Sequence, residues 1–178
     1  GVIVVCGTGA ATGSRNAAGD IWHTSFWQGT QGGHELARSA LLAVYRAALA
    51  ITPPTALTEL LLGLADVRSV EALLHRSTNR ANPKGLDLNR IPPLVFDAAE
   101  AGDETALRVA VDHASALGDY AVAAARKVGI LERPFDLVLA GGLLQHASPI
   151  FGRALMARVR ASAPAVRPRV SAGPPVKG

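Results

Sequence analysis

The strongest constraint on how this chain can fold is a change of hydrophobic period near residue 129. Leu107, Ala110, Val111, Ala114, Leu117, Ala121, Ala124, Ala125 and Val128 recur at helical spacing. They form one continuous apolar stripe whose small residues allow close approach to a sheet. Gly129 ends that helix, as glycine does just past a helix terminus. Shortly after it, Phe135-Asp136-Leu137-Val138-Leu139-Ala140 is almost wholly apolar, the pattern of a strand buried on both faces of a sheet. Gly141-Gly142 stops the strand, and Ser148-Pro149 signals a helix over 149–161. A last extended segment is expected near 167–171. Strand, helix and strand in succession imply parallel pairing through a right-handed crossover.

The front of the chain has the other period. Val2-Ile3-Val4-Val5-Cys6 is a β-branched run closed by Gly7-Thr8-Gly9. Residues 14–27 predict a second pairing region, with a turn at Ala17-Ala18-Gly19-Asp20 and a strand from Ile21 to Trp27. Three antiparallel strands are therefore expected first. A glycine-rich loop, Gly29 to Gly33, leads into helix over 34–51, which Pro53-Pro54 stops. Thr55 and Ser69 can cap short helices reaching Leu62 and His75, and residues 77–89 form a polar loop expected to be the most mobile stretch. Helix resumes near Pro92, ends near Gly102, and Asp103 caps the long helix. The fold class that follows is α/β, with a mixed sheet of three antiparallel strands and then β-α-β, and a helical insertion between them at about 34–131.

Composition excludes several classes. Among 178 residues, 49% are hydrophobic and 18% charged, which no disordered tail matches. One cysteine, Cys6, cannot build a disulfide framework, a cysteine zinc site or a self-contained iron–sulfur centre. No apolar run is long enough to span a bilayer, so no membrane partner is expected. The net charge is +4, and its densest stretch holds Arg153, Arg158, Arg160, Arg167, Arg169 and Lys177. Without aromatic residues in that stripe after Phe151, it is expected to be a solvated face, and no nucleic-acid partner is expected. Nothing reads as a signal peptide, and the abrupt strand beginning beside Gly1 is expected to be a cut within a longer protein.

Two glycine constellations could carry chemistry, and both follow predicted strands. At Gly7-Thr8-Gly9 the backbone can approach a ligand and aim amide groups at an anion, with the Thr8 hydroxyl as a further donor. At Gly141-Gly142 the missing side chains leave room for a flat ring outside the carboxyl end of a strand. Taken alone, each reads first as a tight turn. Neither is a dinucleotide fingerprint or a Walker loop, since no helix follows Gly9 promptly and no Gly-Lys-Ser/Thr occurs. His34-Glu35 lacks the second histidine of a zinc protease, and His23, His75, His113 and His146 show no ligand spacing. Cys6 reads as a small core residue, and Trp22 and Trp27 as packing.

Taken together, in this order and separated by helices, the two motifs resemble the C-terminal lobe of the BadF/BadG/BcrA/BcrD ATPase family. That family includes the N-acetylglucosamine and glucosamine kinases and has the ribonuclease H-like, actin-like ATPase fold. The resemblance covers nearly the whole chain. Val4-Val5-Cys6-Gly7-Thr8-Gly9 is similar to the second phosphate motif, and Val138-Leu139-Ala140-Gly141-Gly142-Leu143 to the adenosine motif. Asp97 to Ala106 and Pro174-Pro175-Val176-Lys177-Gly178 are similar to family stretches at those places, the latter just before a final helix that is absent.

The resemblance implies an ATP-dependent sugar kinase, cytoplasmic, using ATP and Mg²⁺ to phosphorylate an amino sugar. Gly7, Thr8 and Gly9 would meet the β- and γ-phosphates, Gly141 and Gly142 the adenosine, and Gln31 and Gly32 the substrate side. The insertion would wall the nucleotide cleft. Replacing Gly141 by valine is expected to abolish nucleotide binding and spare the fold. A homodimer is among the partners the resemblance allows, but the dehydratase-activating branch needs cysteines for a bridging cluster that this chain lacks. Three departures stand out. Ala10 replaces the usual serine, and Gln28-Gly29-Thr30-Gln31-Gly32-Gly33 replaces an acidic loop. No Asp-x-Gly-x-Thr segment occurs, so the resemblance implies that an N-terminal lobe carrying the catalytic base is expected outside this sequence. The chain therefore holds no catalytic or metal-ligating residue of its own, and the isolated lobe is expected to bind ATP or ADP weakly without turnover. The alternative is a regulatory or interaction module descended from such a kinase.

Overall fold

In the computed structural model, residues 1–24, 29, 31–78 and 85–171 are described. Residues 25–27 of the strand expected over 21–27, residues 79–84 of the loop 77–89 and the stretch 174–178 lie outside the described residues. The chain divides into two units, one made of 1–33 and 111–178 and the other of 34–110. The boundary of the second falls at Ala110, within a long helix, whereas the sequence puts the end of the insertion near 131.

The first unit is built on a five-stranded sheet of order β3-β2-β1-β4-β5. Its strands are β1 (Val2–Cys6), β2 (Ala10–Arg15), β3 (Ile21–His23), β4 (Asp136–Ala140) and β5 (Arg167–Val170). The first three are antiparallel, whereas β1 pairs in parallel with β4, and β4 with β5. This is the mixed sheet expected from the sequence. The second strand begins earlier than expected, at Ala10 rather than near 14, because Cys6 pairs with Ala10 directly across the Gly7–Gly9 turn. Ala10-Ala11-Thr12-Gly13 has little strand propensity of its own, and the register with β1 imposes the conformation.

One face of this sheet is the core. Val2, Val4 and Cys6 of β1 and Leu137 and Leu139 of β4 are buried, with Leu117, Ala121 and Ala124 of α5 (Glu104–Lys127), Val128 just after it, and Phe151, Leu155 and Val159 of α6 (Ile150–Arg160). The Ser14 hydroxyl donates to the Ala124 carbonyl at 2.8 Å, and the Asn16 amide to that of Val128 at 3.1 Å. The first bond ties β2 to α5 and the second joins the residues just past their ends, through positions that helical and strand periods alone leave unconnected. The opposite face is less covered, so β4 alternates: Asp136 and Val138 are half-exposed, correcting the expectation of a strand buried on both faces. Arg167 and Arg169 of β5 bond the two oxygens of Asp136 at 2.8 and 2.9 Å, and Arg158 pairs with Asp119. Three of the five described arginines of the basic stripe are thus ion-paired, in keeping with a solvated face.

The second unit is helical, with α1 (Gly33–Ala48) entering it, then α2 (Leu57–Ala65), α3 (Val70–Thr78), a single 3-10 turn at Leu88–Arg90, α4 (Ile91–Glu100) and the start of α5. Ala40, Leu41, Val44, Leu57, Leu61, Leu73, Ile91, Val95, Phe96 and Ala106 are its core. Asp103 organises it. Its carboxylate caps α5 by accepting from Ala106 N at 2.7 Å, and also accepts from Ala56 N at 2.7 Å and the Thr55 hydroxyl at 2.9 Å. Thr55, expected only to cap α2, joins the start of α2 to the start of α5. Helix α1 ends in a left-handed residue, Ala50 at φ 53°, with Ala50 N bonded to Ala47 O and Ile51 N to Arg46 O. That is the double bond of a Schellman terminus, here without the usual glycine.

Candidate functional site

The site is built where two strands of the first unit end together. Val5 of β1 lies beside Ala140 of β4 in parallel register, so the turns that follow leave the sheet at the same edge. They touch through backbone. A Cβ on Gly141 would stand 2.4 Å from the Cys6 carbonyl oxygen and 2.6 Å from its carbon. Gly141 also has φ +97°, a conformation L side chains rarely adopt. The Cys6 carbonyl in turn accepts from Leu143 N at 3.1 Å, locking one turn to the other.

The segment before α1 closes the back of the phosphate-type turn. Gly33 N donates to Gly7 O at 2.7 Å, and a Cβ on Gly32 would lie 2.3 Å from Gly9 Cα and from Thr8 O. Only glycine admits that approach. Two side chains of this unit meet at the Gln31 carbonyl: His113 Nε2 donates to it, and the Cys6 thiol does so at 3.5 Å. Burial pushes the Cys6 thiol up to about 12, so it stays a neutral donor at neutral pH. The His113 ring, buried and tilted against Phe151 at 6.0 Å, must carry its proton on Nε2 to make this bond.

The outward side of the site is open. Added Cβ atoms on Gly7, Gly9 or Gly142 meet nothing within 4 Å. Thr8, Gly9 and Gly142 are exposed, and among the described residues the Gly9 and Gly142 amides make no backbone hydrogen bond. Two such amides at the carboxyl edge of parallel strands can take the oxygens of an anion, and the bare glycines leave room for a flat ring. The five expected nucleotide residues, Gly7, Thr8, Gly9, Gly141 and Gly142, therefore stand at one edge, with Gln31 and Gly32 directly behind. Gly141 differs in kind from Gly142. It is a glycine for packing, which corrects the expectation that valine there would spare the fold. Among the described residues no three His, Cys, Asp or Glu side chains gather as a metal set.

Sequence reading missed His113. It was one of several histidines without ligand spacing, yet it sits on the same face of α5 as Ala110, Ala114 and Leu117. A polar ring among small apolar residues at helical spacing was the available signal. His34 bonds Asn89 Oδ1 at 3.1 Å, and Glu35 pairs with Arg38, one turn on.

No family model matches the chain. It is 29% identical over 151 residues to an N-acetyl-D-glucosamine kinase of Dictyostelium discoideum, over 82% of this chain and 47% of that protein. It matches the solved structure of a Chromobacterium violaceum protein provisionally assigned as an N-acetylglucosamine kinase, with a TM-score of 0.64 and 21% identity, covering 94% of this chain and 54% of that one. The chain thus spans about half the length of each. It shares the α/β fold of that structure, and the resemblance to the BadF/BadG/BcrA/BcrD ATPase family on its N-acetylglucosamine kinase side is borne out in sequence and in fold.

Proposed function

We propose that this chain is the nucleotide-holding lobe of an ATP-dependent amino-sugar kinase. The observation that carries the reading is the backbone contact of the Gly7–Gly9 and Gly141–Gly142 turns at one end of paired strands. A nucleotide needs both a phosphate cradle and a slot for its base and sugar, and here the two are neighbours although well over a hundred residues separate them. Gly7, Thr8 and Gly9 would hold phosphate oxygens through the turn, and Gly141 and Gly142 would line the adenosine. ATP supplies the transferable phosphoryl group. The work of the lobe is to fix that group in place and to offset its negative charge with amides already oriented by the sheet. A divalent ion such as Mg²⁺ would be held by the nucleotide's own oxygens and by groups outside the described residues.

The sugar contacts and the base that takes its hydroxyl proton would come from the other half of a kinase of this length. Likeness to an N-acetylglucosamine kinase makes N-acetylglucosamine the first substrate to test and glucosamine the second. Titration calorimetry with ADP on this chain tests the nucleotide site. A coupled ADP-release assay on a protein supplying both halves tests turnover. Saturable ADP binding with release on either sugar supports the kinase. Binding without turnover on any sugar moves the chain to the second reading, a regulatory or interaction module, which the replacement of the acidic loop by Gln28 to Gly33 favours. No ADP binding overturns both uses of the glycine turns.

A further inference from the structure

A cavity lies wholly within the helical unit. Ser39, Leu42, Ala43 and Arg46 from α1, Thr52 from the turn after it, and Thr105, Arg108 and Val109 from α5 line a cavity of about 330 Å³. Its lining is segregated, with apolar Ala43 and Val109 against two guanidinium groups and three hydroxyl-bearing residues. Arg46 and Arg108 are distinguished by lining the same cavity. Arg158, Arg167, Arg169 and Arg38 each pair with a carboxylate, but among the described residues Arg46 and Arg108 make no ion pair or side-chain hydrogen bond. The terminal position of Arg46 on α1 suits the helix dipole, whereas Arg108 sits near the positive end of α5, where a cation is disfavoured. Two cations thus flank one small cavity, and among the described residues neither is within ion-pair distance of a carboxylate.

The rest of the wall is built rather than incidental. The left-handed terminus at Ala50 returns the chain so that Ile51 N and Thr52 N reach the Arg46 carbonyl at 3.0 and 3.4 Å. This sets Thr52 beside Arg46. Its hydroxyl is shut off from solvent with no hydrogen-bond partner, an unfavourable state that a bound acceptor can relieve after rotation of χ1. The Asp103 cap fixes the first turn of α5, and with it the buried Thr105 and the exposed Arg108.

We propose that this cavity binds a phosphate monoester carried on a compact apolar body. Arg46 and Arg108 fork the phosphate oxygens, Thr52 and Thr105 donate to them, and Leu42, Ala43 and Val109 take the apolar part. Guanidinium groups match phosphate bidentately, and the volume is at the small end of ligand pockets. The site does not depend on the nucleotide reading and would stand if that reading failed.

Phenyl phosphate titrated into the ¹⁵N-labelled full chain tests it. Saturable shifts at the amides of Thr52, Thr105 and Arg108 with Kd of about 1 mM or tighter are expected. Arg46→Gln and Arg108→Gln, both at exposed positions, should each weaken binding about tenfold without altering the spectrum elsewhere. Phenol, which lacks the charge, should not bind, and inorganic phosphate should bind more weakly. Thr52→Val should raise the melting temperature of the ligand-free chain while weakening phenyl phosphate binding, a pair of opposite effects that a purely structural role would not give. The proposal is overturned by shifts confined to other residues, by unchanged affinity in both arginine variants, or by phenol binding as well as its phosphate.

Discussion

Gly141 and Gly142 are adjacent in sequence but opposite in what they can tolerate, which makes them the sharpest test of the site. Gly141→Ala places a methyl group 2.4 Å from the Cys6 carbonyl oxygen, 2.6 Å from its carbon and 2.9 Å from the Cys6 nitrogen. All three are backbone atoms of the central strand, so relief requires β1 or β4 to move. The φ of +97° adds conformational strain of about 1–3 kcal/mol, and overpacking against main chain adds about 1–3 kcal/mol more. The sum, about 2–6 kcal/mol, is a large part of the ~5–15 kcal/mol that holds a domain folded. At roughly 2–4 °C per kcal/mol for a chain of this length, melting should fall by about 10 °C, with a matching drop in urea midpoint. Gly142→Ala meets nothing within 4 Å and should change stability by no more than about 0.5 kcal/mol. Gly142→Leu should keep the fold and weaken ADP binding by about tenfold or more, because the new side chain occupies the ring's place. Wild-type melting of Gly141→Ala would refute the backbone contact between the turns. Unchanged ADP affinity in Gly142→Leu, with native melting, would refute the adenosine assignment while leaving the fold intact.

Two further outcomes follow from ionisable groups. For Asp103, burial tends to raise the carboxyl pKa, but bonds from the amides of Ala106, Ala56 and Thr105 and the Thr55 hydroxyl outweigh it and lower the pKa. Its contribution is therefore present above the unfolded-state pKa of about 4 and is lost as pH falls through the lower folded value. Asp103→Ala should destabilise by about 1–2 kcal/mol at pH 7, and the gap to wild type in urea unfolding should shrink below about pH 4. A gap independent of pH would sink the carboxylate's role. For Cys6, a thiol at about 12 and fully buried should resist a thiol-reactive dye at pH 8 in the native chain and react at once in denaturant. Prompt reaction in the native state would show that the strand end is open.

Local pattern carried much of this fold. Helical spacing from Leu107 to Val128, the apolar run ending at Ala140 and the caps at Ser69 and Asp103 are short-range preferences of the chain, and each element appears where its period places it. Where pattern misled, a longer-range partner had decided. Ala10–Gly13 is a strand because β1 supplies its ladder, and β4 alternates because one face of the sheet is less covered among the described residues. Thr55 serves Asp103 across 48 positions of sequence, a pairing no local window contains.

The glycine motifs show the same division at the site itself. Sequence alone determined that two strands end in glycine and that helices separate them, since absent side chains and hydrophobic period are properties of the residues themselves. Only the tertiary structure decided that Gly141 is indispensable to packing while Gly142 is open, that Gly32 backs the phosphate-type turn, and that His113 and Cys6 share the Gln31 carbonyl. It also set Arg46 and Arg108, distant in sequence, around one cavity. The physical reason is that a glycine's role depends on what occupies the space its side chain would have filled, and that space is created by strands and helices arriving from elsewhere in the chain.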